Sequence, residues 1–456
     1  MKLLLFLLGL VRAEYCSKDV CHFELVLKYR FTMSCLSDNP EHPYWYPVEI
    51  DENGKPVHQY NSAFYPANET LREHGTEEVP PFPAGMWFFD EHEFDDTKCI
   101  YGDGGKQGIV TINDQHPGPV LEVVEGALVH VTIVNELLGG TAFSMHFHGF
   151  KFDKGYFWYD GVAMIQQCPI TSDQSFTYSF VASEVGLRWY HGHGSGLKLD
   201  GLYGPIIVHK KRVPRTVEPK VLMINDHISA TGGAGAVIQS SVWGETYGSG
   251  ELNNNLNTRW FLEDGTFTTS STIDSLLIDG RMATFDNKIP MRTYDMRKNK
   301  FLHLVCSSTE FGVEVEVANH ELMLWEMDGY PVNTVTRRRL YLGPAETAKI
   351  SLVSLDDNDT TVKNVLLKAN AAGSYKGWKD KEKKKKTQSP MSYAILKLAD
   401  NDDLDMDNQK FSEFNDIMNQ PYFRDDMKWV TINTDKRLLG KQDYYPSPKD
   451  DVYKGE

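Results

Sequence analysis

The chain lacks the features that would place it in a membrane or on a nucleic acid. After its first residues, no apolar run approaches the roughly 18 residues that a membrane-spanning helix needs. The net charge of −16 argues against nucleic-acid binding, which requires a basic face, and it favours the attraction of cations. Long runs with helical periodicity are also scarce, which argues against a helical bundle.

Soft metal ligands are missing from the last third of the sequence. No histidine follows His320 and no cysteine follows Cys306, so methionine is the one side chain of this kind that remains beyond them. Any metal site built from histidine or cysteine must therefore lie in the first two thirds of the chain.

The first thirteen residues predict a secretory signal peptide. Lys2 supplies a positive charge, residues 3–11 form a short apolar core, and Val11-Arg12-Ala13 is a plausible cleavage site. We therefore expect a secreted mature protein, with a buried N-terminal strand as the alternative. Glycosylation sequences that begin at Asn68 and Asn358 are consistent with export.

Short segments of alternating apolar and polar residues dominate the chain. Residues 128–133 and 175–180 are clear examples, since every second side chain in each is valine, isoleucine or aromatic. Turns rich in glycine, proline, asparagine and aspartate separate such segments, which is typical of β-sandwiches. The predicted fold is all-β, with two Greek-key β-sandwich domains and an N-terminal extension.

Composition divides the 456 residues into six parts. These are the signal peptide (1–13), a cysteine-containing extension (14–104), a first sandwich (105–212), a linker (213–219), a second sandwich (220–400) and a tail (401–456). We expect insertions in the second sandwich at 231–250 and 376–389. The lysine run at 383–386 is interpreted as a solvated hairpin tip, with a patch for an anionic partner as the alternative.

Six cysteines in a secreted protein are expected to form disulfides. Four of them lie before residue 100, which predicts local bridges within the extension, although the sequence does not choose the connectivity. A four-thiolate zinc site is the alternative for these four, and their irregular spacing disfavours it. The disulfide candidates are Cys16, Cys21, Cys35, Cys99 and Cys306.

Two histidine pairs, His146-Phe147-His148 and His191-Gly192-His193, form the most informative pattern of the chain. Alternate side chains of a β-strand share a face, so each pair directs two imidazoles the same way. Two such strands side by side would bring four nitrogen ligands to one point. This donor set suits copper, zinc or iron.

The residues around these pairs resemble the multicopper oxidase family, most of all its laccase-like members from invertebrates. Six blocks match in the family's order: 112–119 (INDQHPGP), 146–149 (HFHG), 159–161 (YDG), 167–170 (QCPI), 189–193 (WYHGH) and 200–205 (DGLYGP). The second unit is similar to the family's middle domain, more weakly, at 277–281 (LIDGR), 319–322 (NHEL) and 327–329 (MDG).

The resemblance implies a cupredoxin fold for both sandwiches and copper as the cofactor. It implies that His146 binds the type 2 copper, and that the type 3 pair is bound by His148, His191 and His193. Family members couple the oxidation of a small reducing substrate to the four-electron reduction of dioxygen to water. Asp160 and Asp200 are candidates to fix the second ring nitrogens of the ligands, with a turn role as the alternative.

The sequence departs from the family pattern in one major respect. A complete copper cluster takes half of its histidines from a third domain, through H-x-x-H-x-H and H-C-H motifs that also serve the type 1 copper. Neither motif occurs in these 456 residues. We therefore expect the chain as written to hold half of the trinuclear site, to lack blue colour and to be inactive by itself.

Three interpretations of this departure remain open. The first is a laccase-like oxidase recorded without its third domain, and the second is a short, non-catalytic secreted paralogue that binds copper or serves a structural role. The third is a zinc or iron hydrolase on the same four histidines, for which no general base is visible.

The resemblance also makes predictions at single positions. In relatives, the counterpart of Cys168 bridges to the third domain, so we expect Cys168 to be unpaired here. A bridge between Cys99 and Cys306 would then join the extension to the second sandwich. Gly192 and Gly194 replace the family's usual hydroxyl residues, which predicts a looser second histidine motif, and His320 is expected to be structural.

Overall fold

A computed structural model describes residues 14–37, 45–52, 54–58, 94–137, 141–152, 155–193, 196–213, 215, 217–228, 273–309, 312–355, 364–372, 390–400, 404 and 409–411. The predicted signal peptide, both glycosylation sequences, both insertions and most of the segment after residue 400 lie outside the described residues. Within them, no helix combines the length and hydrophobicity that crossing a bilayer requires.

The first part of the chain forms thirteen described strands. They are β1 (Glu14–Cys16), β2 (Val20–Phe31), β3 (Ser34–Leu36), β4 (Trp45–Ile50), β5 (Pro56–His58), β6 (Cys99–Ile100), β7 (Gly108–Ile112), β8 (Leu121–Val124), β9 (Leu128–Asn135), β10 (Ser144–His148), β11 (Gln174–Val181), β12 (Gly186–His193) and β13 (Tyr203–His209). Two sheets, of order β1-β8-β13-β12-β10 and β11-β9-β2-β7, form the first sandwich, and β5-β4-β3-β6 form a small separate sheet.

The first sandwich follows the alternation of its sequence. Side chains of β9 are alternately buried and partly exposed, and Val129, Val131 and Ile133 face the core. Tyr178 and Phe180 of β11 pack in the same core. The strands predicted at 128–133 and 175–180 are confirmed.

The first sandwich begins earlier than residue 105. Strand β2 pairs in parallel with β9 and antiparallel with β7, and β1 pairs with β8, so both belong to the sandwich rather than to an extension. Phe23, Leu25 and Leu27 of β2 supply its buried face. The strand has a clear two-residue alternation, but its partner β9 lies about a hundred residues later, and local patterning carries no information on such a pairing.

Two disulfides close the N-terminal region. Cys16 bonds to Cys21 between β1 and β2, and Cys35 bonds to Cys99 between β3 and β6. The predicted Cys99–Cys306 bridge is therefore wrong, because β3 and β6 pair with Cys35 directly opposite Cys99. Cys306 instead lies as a buried thiol in the core of the second sandwich. Cys168 is an exposed thiol, as expected.

The second part of the chain forms eleven described strands. They are β14 (Lys220–Ile228), β15 (Ile273–Ile278), β16 (Arg292–Asp295), β17 (Phe301–Cys306), β18 (Gly312–Val317), β19 (His320–Met327), β20 (Tyr330–Arg337), β21 (Arg339–Leu342), β22 (Thr347–Ser354), β23 (Val365–Ala372) and β24 (Met391–Lys397). Their sheets, β15-β14-β17-β22-β19-β20 and β16-β24-β23-β18-β21, enclose the second and larger apolar core.

A separate apolar cluster joins the two sandwiches. Leu187, Trp189 and Tyr203 of the first sandwich pack with Val221 and Val305 of the second. Fully burying side chains of this size contributes about 1.5–3 kcal/mol each. The interface therefore holds the strand that carries His191 against the second sandwich.

The predicted linker is also anchored, through Arg215. This side chain donates two hydrogen bonds of 2.7 Å to the buried carboxylate of Glu122 in β8, which His209 contacts as well. Residues 214 and 216 lie outside the described part of the chain. The fold class predicted from the sequence, two β-sandwiches, is confirmed.

Candidate metal centre

The two histidine pairs lie on neighbouring antiparallel strands. In the pairing of β10 with β12, His146 is opposite His191, and His193 is opposite Ser144. Phe147, between the first two histidines, points into the core and is fully buried. Because side chains alternate, all four imidazoles lie on the same face of the sheet.

The rings converge as the sequence predicted. The centroid of the His146 ring lies 5.3 Å from that of His148, 5.2 Å from that of His191 and 5.9 Å from that of His193. One possible ligand atom each from His146, His148 and His191 lies within 4.8 Å of the others. No other group of three or more potential metal ligands this close occurs among the described residues.

Hydrogen bonds fix the orientation of two of the rings. His146 Nδ1 donates to the Asp160 carbonyl oxygen at 2.6 Å, and His191 Nδ1 donates to the Gly192 carbonyl oxygen at 2.9 Å. Each bond places the proton on Nδ1 and leaves the Nε2 lone pair for a ligand interaction. In the described structure, the buried His193 Nδ1 has no hydrogen-bond partner, which a bound metal ion would supply.

Burial keeps three of these imidazoles neutral. Desolvation lowers the pKa of His148 to about 4, with the neighbouring charge of His146 as the second cause. Desolvation is also the main cause that lowers the pKa of His191 and of His193. A neutral imidazole is the form that binds metal ions, so the cluster is prepared for a ligand role at neutral pH.

Asp160 and Asp200 occupy different places. The Asp160 carboxylate lies 3.3 Å from His146 Nδ1, in addition to the hydrogen bond that the Asp160 carbonyl accepts from the same nitrogen. The contact with His146 lowers the pKa of the Asp160 carboxyl group. Asp200 is buried, and its carbonyl accepts the Val110 N–H, which ties the turn before β13 to β7. The carboxylate that supports the histidine cluster is thus that of Asp160.

Gly161 allows Asp160 to approach His146. Its φ is +92°, and a Cβ atom at this position would lie 2.0 Å from the Met145 carbonyl oxygen. Any other residue would push the turn away from β10. Glycine is therefore required here for a close backbone contact.

Gly192 is closely packed against Leu202. It is buried within β12, its N–H donates to the Leu202 carbonyl, and an added Cβ would lie 2.6 Å from a Leu202 methyl group. The small residue makes room for Leu202 at this position, and the looser second motif stays a prediction. Gly194 lies outside the described residues.

Lys198 is a charged neighbour of the cluster that the sequence pattern does not predict. It is largely buried, its Nζ donates to the Ser308 carbonyl of the second sandwich at 3.1 Å, and it lies 5.7 Å from the Trp189 ring centroid. Its positive charge lowers the pKa of His148, His191 and His193. A lysine just after a strand gives no local sign of burial, since the second sandwich supplies the covering surface.

His320 does not join any such cluster. It lies at the start of β19, and its Nδ1 bonds to the Ala318 carbonyl oxygen at 2.8 Å. Its contacts are those of a structural residue.

The donor set fits copper. Several neutral imidazoles in one small volume, with ring nitrogens oriented from behind by backbone and carboxylate oxygens, suit copper as well as zinc and iron. The His193 Nδ1, which has no hydrogen-bond partner among the described residues, is free of competing contacts that would oppose such a ligand role.

Comparison with known proteins narrows the class of metal-binding proteins that this chain resembles. The family profile described as "Multicopper oxidase" matches residues 94–213, the part of the chain that contains all four histidines. The chain is 32% identical over 254 residues to Laccase-6 of Arabidopsis thaliana, a match that covers 54% of this chain and 40% of that protein. It is 39% identical over 126 residues to Laccase-1 of Cryptococcus neoformans var. grubii, covering 27% of this chain and 20% of the relative.

Among solved structures, Fet3p, described as a multicopper oxidase that functions in iron import, matches with a TM-score of 0.50 at 21% identity. This match covers 69% of this chain and 53% of that one. It supports the cupredoxin-like fold. The matches to curated relatives span less than half the length of those proteins.

The fold and the histidine-bearing segment together define a copper-dependent class of protein. Residues 94–213 match the multicopper oxidase family, and the chain is similar to a laccase over 54% of its length. This similarity points to copper as the metal of the four-histidine segment.

Proposed function

We propose that this protein is a laccase-like multicopper oxidase, which couples the oxidation of a small reducing substrate to the four-electron reduction of dioxygen to water. The convergence of His146, His148, His191 and His193 on one face of β10 and β12 is the observation that carries this proposal. The match of residues 94–213 to the multicopper oxidase profile and the similarity of the chain to laccases support it.

Within this proposal, His146 holds the type 2 copper, and the type 3 pair is held by His148, His191 and His193. When bound, the copper ions supply the electrons that reduce dioxygen without release of partly reduced oxygen. The imidazoles bind both oxidation states without adding negative charge. Because burial keeps three of these rings neutral, a metal ion does not have to displace protons from them at pH 7.

Two further side chains position this site. Asp160 holds the His146 ring from behind, through its carbonyl and its carboxylate. Lys198 places a buried positive charge between the cluster and the second sandwich, which favours the lower oxidation state of a nearby metal ion. We propose secretion for the mature protein, as the N-terminal sequence suggests.

The test compares copper content and oxygen consumption. The double variant His146→Ala/His191→Ala should retain fewer copper ions per chain than the parent after dialysis, while its circular dichroism stays unchanged. His320→Gln, which removes a histidine bonded to backbone in the second sandwich, is the matched control and should keep the copper.

Activity is measured on the longest product that the gene encodes, with a diphenol as the reducing substrate. Oxygen uptake should depend on copper and disappear in the double variant. A copper content per chain that does not fall in the double variant, or uptake that survives it, would overturn the proposal.

A further inference from the structure

A third pair of histidines lies on the outer face of the other sheet of the first sandwich. His22 of β2 and His130 of β9 are direct neighbours in the parallel pairing of these strands. Their chain neighbours Cys21, Phe23 and Val129 are buried in the core. Both imidazoles therefore stand on the solvent side, where His22 is exposed and His130 is partly exposed.

The spacing of the two rings fits a shared ligand. Their centroids lie 4.8 Å apart, with an angle of 20° between the ring planes. Two imidazoles bound side by side to one ion have centroids roughly 4.5–5.2 Å apart, because a metal–nitrogen bond is about 2.0–2.1 Å long. Rotation of the exposed His22 ring about its terminal torsion, which is soft, is the adjustment that would direct both nitrogens to one ion.

Ser179 prepares His130 for this role. Its Oγ lies 2.8 Å from His130 Nδ1, and the two residues are opposite each other in the pairing of β9 with β11. This bond restrains the ring, and in the tautomer in which Nδ1 donates to Ser179 Oγ the Nε2 lone pair is left for a metal ion, in the way that outer contacts commonly orient metal-binding histidines.

A carboxylate is available beside the pair. Glu24 follows His22 by two residues on β2, is exposed and lies on the same face. The neighbouring Thr132 and Thr177 hydroxyl groups hydrogen-bond to each other. The net charge of −16 adds a general attraction for cations.

We propose that His22 and His130 form a second metal site that binds one divalent transition-metal cation. Two imidazoles on a solvent-exposed face leave positions for water and for other ligands. Such a site binds Cu²⁺ more tightly than Ni²⁺ or Zn²⁺, following the general order of divalent affinities. The site lies on the opposite sheet from the four-histidine cluster and does not depend on the function proposed for that cluster.

The test starts from the His146→Ala/His191→Ala chain, which removes ligands of the first cluster. Titration calorimetry with Cu²⁺ alone should show one equivalent bound. Adding His22→Gln or His130→Gln should weaken this binding by at least about 10-fold, since even outer-contact losses at metal sites cost that much. Electron paramagnetic resonance of the bound Cu²⁺ should show coupling to two nitrogens before the change and to one after it.

Two controls make the outcome decisive. His320→Gln in the same background should leave the Cu²⁺ affinity unchanged, and Glu24→Gln should reduce it less than either histidine change. If the starting chain binds no Cu²⁺, or if the binding survives His22→Gln, the pair is a stacked surface contact and the proposal fails. Copper retained by His22→Gln in the otherwise native chain reports separately on the four-histidine cluster.

Discussion

The two sandwiches share one architecture and differ in the side chains that their neighbouring strands carry. In the first, β10 and β12 each carry histidines two residues apart, and the strand pairing sets His146 opposite His191. In the second, His320 stands alone at the start of β19 and bonds to backbone. A metal centre on this fold therefore depends on paired alternation across two adjacent strands, and the presence of a histidine is not enough.

The second sandwich uses its polar groups for packing instead. All six residues of β18 are buried, including Glu314 and Glu316. The Glu316 carboxylate lies 3.4 Å from the Arg339 guanidinium and 3.7 Å from that of Arg338. Burial raises the pKa of Glu314. The charged face of β18 is thus covered by other side chains. The corresponding polar positions of β10 and β12 remain accessible to a ligand.

The largest expected effect tests how far the first sandwich depends on the second. Arg188 is 1% exposed and donates hydrogen bonds to the carbonyls of Gly149, Leu187 and Asp328 at 2.8–3.0 Å, joining the turn after His148 to the second sandwich. Arg188→Met leaves these acceptors without their donor and should lower the free energy of unfolding by about 3 kcal/mol.

Arg337→Met is the matched control in the second sandwich. Arg337 also donates to a carbonyl, that of Thr336, but it does so in an exposed position. Its replacement should change the free energy of unfolding by less than about 0.5 kcal/mol in urea denaturation. Equal losses in the two variants would show that Arg188 does not join the sandwiches.

The next effect concerns a buried histidine of the second sandwich. Desolvation lowers the pKa of His303 to about 3, whereas an unfolded chain has a histidine pKa near 6.5. Between these values the unfolded state binds a proton that the folded state does not, so stability falls as the pH falls. His303→Gln should remove this contribution, which amounts to about 2 kcal/mol at pH 5 relative to pH 7.

Urea denaturation at pH 7 and pH 5 measures this difference. The exposed His22→Gln is the control, and it should lose as much unfolding free energy at pH 5 as the parent does. A variant as acid-sensitive as the parent would contradict the assignment. The buried His116, whose pKa burial also lowers to about 3, should keep part of the acid sensitivity in both proteins.

Local periodicity predicted much of this structure. Strands β9 and β11 and the common face of His146 and His148 follow from the two-residue repeat of strands. Pairings between distant segments did not follow from it. The association of β2 with β9 and the opposition of Cys35 to Cys99 are set by topology, which local sequence does not encode.

The local sequence did not predict the polar residues around the site, for a similar reason. Lys198 and Arg188 are buried because the second sandwich contacts them through Ser308 and Asp328. Each stands in its own segment as an ordinary surface charge. Asp160, by contrast, was recognised through its place in the Tyr159-Asp160-Gly161 block, and its contact with His146 supports the role suggested for it.

A smaller effect tests the support behind the cluster in the first sandwich. Asp160→Asn keeps the carbonyl that accepts from His146 Nδ1 and removes the charge of the carboxylate 3.3 Å away. Copper affinity should fall by about 10-fold, the lower end of the usual loss for such contacts. Asp173→Asn, an exposed aspartate in the turn before β11, is the control and should bind copper as the parent does. Equal affinities in all three proteins would leave Asp160 with a turn role.

The smallest effect concerns the two thiols, one in each sandwich. Cys168 is exposed in the first, whereas Cys306 is fully buried in the core of the second, where desolvation raises its pKa to about 12. A thiol reagent at pH 8 should therefore modify Cys168 in the native protein within minutes and reach Cys306 after unfolding, since the thiolate is the reactive form. Modification of Cys168 should leave the free energy of unfolding unchanged within about 0.5 kcal/mol, because an exposed position carries little packing. Cys168→Ser is the control and should abolish the fast phase while the unfolded variant still yields one equivalent. A fast phase that persists in Cys168→Ser would mean that the second sandwich opens in solution, and the contrast between an accessible first sandwich and a closed second one would fail.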